Sequence, residues 1–240
     1  MTLLQAIQSQ GVGSRKQCLA LIERGHALVD GEVCLKPKQV VLPEQVSFYY
    51  DDELCVWQDR IVIMMHKPLG YECSAKPQHH PSVLDLLPSI YRARGVQPVG
   101  RLDVDTSGLL LLTDDGQLIH RLTHPKRHVP KTYQVTTCEP LNETQINALW
   151  QEIELNDEPR PVKAISVQQT ASHELLLVID EGRYHQVRRM LAAVGNRVDK
   201  LSRVQMGALP LPSDLLPGAW RTIEEADIGI ELRSNRYEQE

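Results

Sequence analysis

Residues 100 to 116 read GRLDVDTSGLLLLTDDG, and no other segment of the chain says as much about its fold. The four leucines at positions 109–112 are typical of a buried strand, and Asp114-Asp115-Gly116 is a turn signal. The carboxyl groups of Asp103 and Asp105 precede the leucines, so they lie at the mouth of a buried element. A carboxylate that is partly shielded from water in such a place can act as a base or a nucleophile.

The segments around this stretch predict a mixture of strands and helices without regular strand–helix–strand alternation and without an internal repeat. The predicted strands are Ile61–Met65, Val99–Leu112, Thr132–Thr137 and Leu175–Ile179. The predicted helices are a short one around Val83–Leu87 and others at Gln117–Leu122, Gln145–Glu152 and Tyr184–Val194. This pattern indicates an α+β fold.

The first 58 residues predict a small separate unit. Apolar residues recur at helical spacing in 3–7, Ser14 is a good N-cap for a second helix, and Gly25 is a good terminator of that helix. Asp30-Gly31, between two short apolar runs, is a strong signal for a two-residue hairpin turn. We therefore divide the chain into residues 1–58, residues 61–232 and a polar tail at residues 233–240.

The order helix, helix, hairpin in residues 1–58 resembles the small RNA-binding domain first seen in ribosomal protein S-four. Ser14-Arg15 at the start of the second helix and Asp30-Gly31 at the turn carry the resemblance. Thr2-Leu3-Leu4 stands where that domain usually has Arg-Leu-Asp. The resemblance implies that this unit binds RNA.

Composition and charge restrict the class of protein. The 240 residues have a net charge of −5, which is unusual for a protein that binds nucleic acid, but basic residues are concentrated in 121–131 and 183–203. The five cysteines form no CxxC pair, and the first residues do not form a signal peptide. We therefore expect reduced thiols and a cytoplasmic protein. The longest apolar runs are much shorter than the roughly 20 residues that span a bilayer, so we expect no membrane segment.

Five motifs, in the same order along the chain, resemble those of a family of ribosomal RNA pseudouridine synthases. They are Lys67-Pro68-Leu69-Gly70, residues 100–116, His124-Pro125 with Lys131–Val135, Glu181–Met190, and Leu201–Arg203 with Gly207. The resemblance covers residues 61 to about 230. It implies a mixed, mainly antiparallel β-sheet with flanking helices, and an enzyme that isomerises uridine to pseudouridine. Because that reaction involves no redox change, the resemblance implies no cofactor and no metal.

The resemblance also implies roles for individual residues. Asp103 matches the family's catalytic aspartate, which could attack the sugar, attack the base, or remove a sugar proton. Arg188 matches the basic residue that pairs with this aspartate, where a guanidinium would keep a shielded carboxylate ionised. Tyr133 matches the tyrosine that stacks on the target base.

Four further residues are predicted to bind the substrate. Arg101 matches an arginine that relatives in the wider superfamily use to fill the space left when the target uridine is turned out of folded RNA. Lys131, Arg183 and Gln186 belong to the same motifs as the predicted catalytic residues. The expected partner is ribosomal RNA or a precursor of a ribosomal subunit, and we expect a monomer.

Other interpretations of single residues remain open from the residues themselves. Asp103 and Asp105 would face one side of a strand, as paired carboxylates do in glycosidases. His120, His124 and His128 have helical spacing for a metal site, but Pro125 interrupts such a helix.

Three other residues of the motifs are expected to have structural or local roles rather than catalytic ones. Lys67 is expected to cover the edge of the core or to touch RNA. His185 is expected to be a local hydrogen-bonding partner, and Tyr184 to pack within a helix.

The target is also open. The segments 67–74 and 80–84 are most similar to the small-subunit branch of the family, large-subunit RNA is the second possibility, and a non-catalytic RNA-binding assembly factor is a third.

Overall fold

The computed structural model describes residues 1–229, which contain six α-helices and thirteen strands. The helices are α1 (Leu3–Ser9), α2 (Arg15–Glu23), α3 (Ser89–Ala93), α4 (Gly116–Thr123), α5 (Glu143–Leu149) and α6 (Gln186–Ala193). Strands before α4 are β1 (Ala27–Val29), β2 (Glu32–Val33), β3 (Val46–Tyr50), β4 (Glu53–Val56), β5 (Val62–Lys67), β6 (Gln97–Pro98) and β7 (Ser107–Thr113). Strands after α4 are β8 (Lys131–Thr137), β9 (Ser166–Ala171), β10 (Glu174–Ile179), β11 (Val198–Met206), β12 (Leu209–Pro210) and β13 (Trp220–Ile223). The tail proposed at residues 233–240 lies outside the described residues.

The first 58 residues form two helices and a four-stranded sheet in the order β2-β1-β3-β4. Ser14 caps α2 by accepting a hydrogen bond from the Gln17 backbone, and the Gln17 side chain bonds back to Ser14. Asp30 and Gly31 both have positive φ, as a tight hairpin turn requires, and they join β1 to β2. The second hairpin, β3 to β4, was not predicted from the sequence.

A larger mixed sheet follows in the order β13-β5-β7-β11-β8-β10-β9, with β6 and β12 paired at its sides. Its strand pairs are antiparallel except β7 with β11, which are parallel. This arrangement confirms the predicted α+β fold with a mixed, mainly antiparallel sheet.

The leucine run forms the centre of this sheet. Leu110 and Leu112 pack into one apolar core, whereas Leu109 and Leu111 pack into a second core on the opposite face. Because both faces of β7 are covered, the strand needs apolar residues at every position rather than alternate ones.

The prediction of one continuous strand over Val99–Leu112 is wrong in part. Only Ser107–Thr113 forms β7, and residues 100–106 form a loop that leads into it. Asp103 and Asp105 therefore lie on a loop, and the two-residue periodicity of a strand does not orient them.

Gly108 marks a close approach between β7 and β11. A Cβ atom at this position would lie 2.2 Å from the Arg203 carbonyl oxygen, and Gly108 has a φ of +108°. Only glycine meets both conditions without strain. The close packing of the parallel strands β7 and β11 thus explains why the motif at residues 100–116 has a glycine at position 108.

Arg94 joins the first 58 residues to the larger sheet. Its guanidinium donates to the Gln10 side chain at 2.6 Å, to the Asp114 carboxylate at 2.8 Å and to the Asp59 carbonyl. Ile90 of α3 also packs in the apolar core formed by α1, α2 and the small sheet. The two parts of the chain are therefore in direct contact, through apolar packing and a hydrogen bond.

Candidate active site

Lys67 anchors the loop that carries Asp103. Its buried ammonium group donates hydrogen bonds to the backbone carbonyls of Pro68, Asp103 and Thr106 at 2.9 to 3.0 Å. Burial lowers the pKa of this amine, and the nearby carboxylates oppose that effect. The expectation that Lys67 covers the core edge or touches RNA is wrong, because its side chain is used entirely inside the protein.

Two further contacts fix the same loop. The backbone N–H of Gly70 donates to the Val104 carbonyl at 2.8 Å, and the N–H of Leu102 donates to the Cys73 sulfur at 3.4 Å. Burial raises the pKa of the Cys73 thiol, which keeps it neutral as an acceptor. The segment Lys67–Cys73 thus holds the loop that carries Asp103 through hydrogen bonds. The first motif, Lys67–Gly70, therefore contributes to the position of Asp103.

The Asp103 carboxylate contacts His185. The distance from Asp103 Oδ1 to His185 Nε2 is 3.4 Å, and the Asp103 side chain is 34% exposed. His185 has a left-handed backbone conformation and forms the N-cap of α6, so its ring is turned back towards the loop. The expectation that His185 is a local polar partner is consistent with this contact.

Arg188 does not pair with Asp103, contrary to the prediction. Its Nη2 atom lies 2.9 Å from the Asp105 carboxylate and 2.9 Å from the Asp105 carbonyl oxygen. His185 and Arg188 are three residues apart at the start of α6 and therefore share a face, so each meets a different acid of the loop. The Nε atom of Arg188 is buried without a hydrogen-bond partner among the described residues.

Tyr133 lies in the middle of β8, between Leu177 of β10 and Arg203 of β11. It is 8% exposed, and it belongs to one of the two cores. Its ring also lines a cavity of about 480 Å³. A tyrosine in this position presents a fixed, largely apolar surface to whatever enters the cavity.

The cavity brings together four of the predicted site residues, namely Arg101, Lys131, Tyr133 and Arg183. Asp103, Arg188 and Gln186 are not among its lining residues; Asp103 lies on the same loop as Gly100 and Arg101, which do line it. The cavity is mainly basic in its polar lining, since Arg160, Arg203 and Lys126 also contribute.

Lys131 is a cavity residue whose pKa is strongly shifted. Burial and the neighbouring charge of Arg203 lower its pKa to about 8, while Asp180 acts in the opposite direction. Its ammonium donates to the Val129 carbonyl at 2.7 Å. A lysine with this pKa changes charge close to neutral pH.

Gln186 is buried and contacts the backbone of the segment that carries Arg183. Its side-chain oxygen accepts a hydrogen bond from the Arg183 backbone at 3.0 Å. This bond holds the segment 183–186, and the binding of substrate by Gln186 stays a prediction. The Arg183 guanidinium in turn pairs with Glu158 and Glu181.

Four residues near the site have positions that the sequence did not predict. Arg203 is almost completely buried, donates from Nε to the Leu109 carbonyl at 2.8 Å, and lines the cavity. Tyr184 was expected to pack in a helix, but it precedes α6 and is 71% exposed. His124 and His128 line the cavity, and His128 contacts Asp180.

Residues 1–229 present neither a cluster of metal-ligating side chains nor a helix that could cross a membrane. This part of the chain contains no group of three or more His, Cys, Asp or Glu side chains arranged to hold a metal ion. Over the same range, every helix is too short or too polar to cross a bilayer.

The chain matches the RNA pseudouridylate synthase family over residues 61–193. It is 38% identical to ribosomal small subunit pseudouridine synthase A of Salmonella typhimurium over 209 residues, which cover 86% of this chain and 89% of that protein. It is 36% identical to an uncharacterized RNA pseudouridine synthase of Bacillus subtilis over 96% of this chain and 98% of that one. Among solved structures, a pseudouridylate synthase crystal structure aligns with a TM-score of 0.67 at 35% identity, covering 95% of this chain and 98% of the other.

Proposed function

We propose that this chain, which belongs to the RNA pseudouridylate synthase family, isomerises a specific uridine of small-subunit ribosomal RNA to pseudouridine. The names of the relatives from Salmonella and Escherichia coli support the small-subunit target. The match to the Bacillus subtilis protein covers 96% of this chain, so most of the N-terminal part is included in that comparison.

The observation that carries the proposal is the state of Asp103. Its carboxylate is partly exposed, whereas its backbone is held by the buried Lys67. A reactive group needs this combination of access and fixed direction. The basic side chain that contacts the Asp103 carboxylate is His185, at 3.4 Å.

The proposed reaction conserves all atoms. The bond between the ribose C1′ and uracil N1 breaks, the base turns, and a bond forms between C1′ and C5. The proton at C5 leaves and N1 gains a proton, so no electron acceptor is required. Asp103 takes one of the three roles open to it, attack on the sugar, attack on the base, or removal of a sugar proton.

Arg101 and Tyr133 support the binding step of this proposal. Turning a uridine out of folded RNA costs a few kcal/mol. Arg101 is exposed at the rim of the cavity, where a planar cation could fill the vacated place, and the Tyr133 ring offers a surface for the turned-out base. Stacking of a base on an aromatic ring contributes about 1–3 kcal/mol.

The substrate is proposed to be ribosomal RNA or a precursor particle, bound by one copy of the chain. Residues 1–58 are proposed to be an additional RNA-binding unit similar to that of ribosomal protein S-four. Two helices followed by the Asp30-Gly31 hairpin support this assignment.

The test is pseudouridine mapping by carbodiimide labelling and primer extension on both ribosomal RNAs. Cells with the wild-type chain are compared with cells that carry Asp103→Asn. Asp105→Asn is the matched control, since it makes the same chemical change on the same loop at a more exposed carboxylate.

We expect one stop in small-subunit RNA to be lost with Asp103→Asn and retained with Asp105→Asn. A stop lost from large-subunit RNA would overturn the target while the reaction stands. If both RNAs keep every stop, the enzymatic proposal fails and an RNA-binding assembly role takes its place.

A further inference from the structure

Tyr184 presents one face of its ring to solvent beside the proposed catalytic residue. It is 71% exposed, and its other face stacks on the His185 ring with centroids 3.9 Å apart and an angle of 15° between the planes. Single exposed aromatic residues are normal at protein surfaces, so the exposure of Tyr184 does not by itself require a partner. Its stack on His185, which contacts Asp103, is what makes its free face a candidate binding surface. The stack therefore leaves one planar surface unoccupied in the chain itself.

The ring of Tyr184 is held by its stack on His185, and the backbone on either side of it is held by further contacts. The Tyr184 carbonyl accepts a hydrogen bond from Arg189 Nη1 at 3.2 Å, and Arg189 is itself paired with Glu158. His185 has a φ of +47°, a conformation that non-glycine residues adopt rarely and that often persists at functional sites. A surface fixed in this way costs little conformational entropy when it binds a ligand.

The same stack reaches the reaction centre. His185 contacts the stacked Tyr184 ring and, through Nε2, the Asp103 carboxylate at 3.4 Å. Tyr184 thus lies one aromatic ring away from Asp103. A ligand on its free face would be separated from the Asp103 carboxylate by the rings of Tyr184 and His185, which is the position expected of a neighbouring nucleotide rather than of the target uridine.

We infer that Tyr184, supported by His185, is a stacking surface for an unpaired nucleobase that neighbours the target uridine in the RNA. When the uridine is turned out, its neighbours lose a stacking partner. An aromatic ring can replace that partner for any of the four bases, because each base has a π-face. This inference rests on the proposed function and adds a second RNA contact to it.

Steady-state kinetics on a synthetic RNA that contains the mapped uridine test the role of Tyr184. Tyr184→Phe keeps the ring and should behave as the wild type. Tyr184→Ala should weaken binding by roughly 5- to 150-fold, the range that corresponds to one base–aromatic stack, and should leave kcat within about twofold. Trp150→Ala is the control, because Trp150 is an exposed aromatic residue at the end of α5.

Abasic substitution in the RNA identifies the partner of the ring. One base at a time is removed at the two positions on each side of the target uridine, and binding is measured with the wild type and with Tyr184→Ala. At one position, base removal should weaken binding to the wild type and have no further effect on Tyr184→Ala. This non-additivity is expected only if the ring and that base touch.

Three outcomes would overturn the inference. The first is an unchanged KM for Tyr184→Ala. The second is a fall in kcat without a change in KM, which would show that the ring acts only by positioning His185. The third is additive effects at all four abasic positions. Failure of the proposed function is seen separately, because the wild type would then form no pseudouridine in the intact RNA.

Discussion

The Lys67 ammonium group donates a hydrogen bond of 3.0 Å to the backbone carbonyl of Asp103 from a fully buried side chain. The same ammonium also binds the carbonyls of Pro68 and Thr106, so one cation fixes both ends of the turn around Asp103. The position of the catalytic candidate thus depends on a residue 36 positions away in the sequence.

Replacing Lys67 by Met should lower both the stability of the fold and turnover. The substitution keeps the apolar stem but removes the donor from the carbonyls of Pro68 and Thr106, at a cost of about 1–3 kcal/mol for each group left unpaired. The Asp103 carbonyl still accepts from the Thr106 backbone N–H. We expect a fall of at least tenfold in kcat, measured together with urea unfolding. Lys163→Met, at an exposed lysine, is the control. Equal kcat values for the two variants would contradict the anchoring role.

Arg188→Met should destabilise the fold less than a buried ion pair would predict. Its partner, Asp105, has a side chain that is 63% exposed, and ion pairs of this kind contribute about 0–1 kcal/mol. We expect the free energy of unfolding to fall by about 1 kcal/mol in denaturant titration. A loss of about 3–5 kcal/mol would indicate instead that Arg188 pairs with a shielded carboxylate such as Asp103.

Gly108→Ala should be severely destabilising. The added methyl group would lie within 2.2 to 2.8 Å of three backbone atoms of Arg203, and neither strand can move without breaking the sheet. We expect a loss of more than about 3 kcal/mol, or no soluble protein. Gly116→Ala is the matched control, because a Cβ there meets no atom within 4 Å and α4 begins at that residue. Similar melting temperatures for both variants would disprove the close approach.

Affinity for RNA should fall as the pH rises through about 8, since the Lys131 ammonium then loses its charge. Binding is measured between pH 6.5 and 9 at constant salt. Lys131→Arg should remove the pH dependence and keep the affinity, whereas Lys131→Met should remove it and weaken binding at every pH. A pH dependence that persists in both variants would assign it to another group.

The lowered pKa of Lys131 should make the fold more stable as the pH rises, although it weakens RNA binding over the same range. The unfolded chain keeps its proton up to the ordinary lysine pKa of 10.5, whereas the folded chain loses it near 8. The unfolded state therefore binds more protons between these values, and this group alone makes the fold more stable as the pH rises through that window.

Removing residues 1–58 should weaken RNA binding by at least tenfold while the larger sheet still folds. The truncation exposes Ile90 and deprives Arg94 of Gln10, but it leaves the ion pair of Arg94 with Asp114. We expect a melting temperature lower by several degrees, since about 1 kcal/mol corresponds to 2–4 °C for a domain of this size. Loss of soluble protein would show that the two parts fold only together.

Local signals in the sequence were sufficient for much of the fold. The Ser14 cap, the Asp30-Gly31 turn and the leucine run each depend on nearby residues, and each has the predicted structure. The β3–β4 hairpin was missed because its turn, Asp51-Asp52, lacks the glycine that usually permits positive φ, although both aspartates adopt it.

Long-range contacts could not be predicted in the same way. Whether Arg188 meets Asp103 or Asp105 depends on how α6 crosses the loop, which no sequence spacing specifies. Buried cations are equally hard to recognise, because Lys67 and Arg203 lie in strands that would place similar residues at the surface in other proteins.

The parallel pairing of β7 with β11 has a consequence for the order in which the molecule folds. Arg203 bonds to Leu109, which is 94 positions earlier in the chain, and closing so long a loop is entropically costly. A nascent chain that ends before β11 already contains Asp103, Tyr133 and Arg188, yet β7 lacks its central neighbour. We therefore expect catalytic competence to appear late, after synthesis has passed residue 206, with Gly108 and Arg203 meeting in the slowest step.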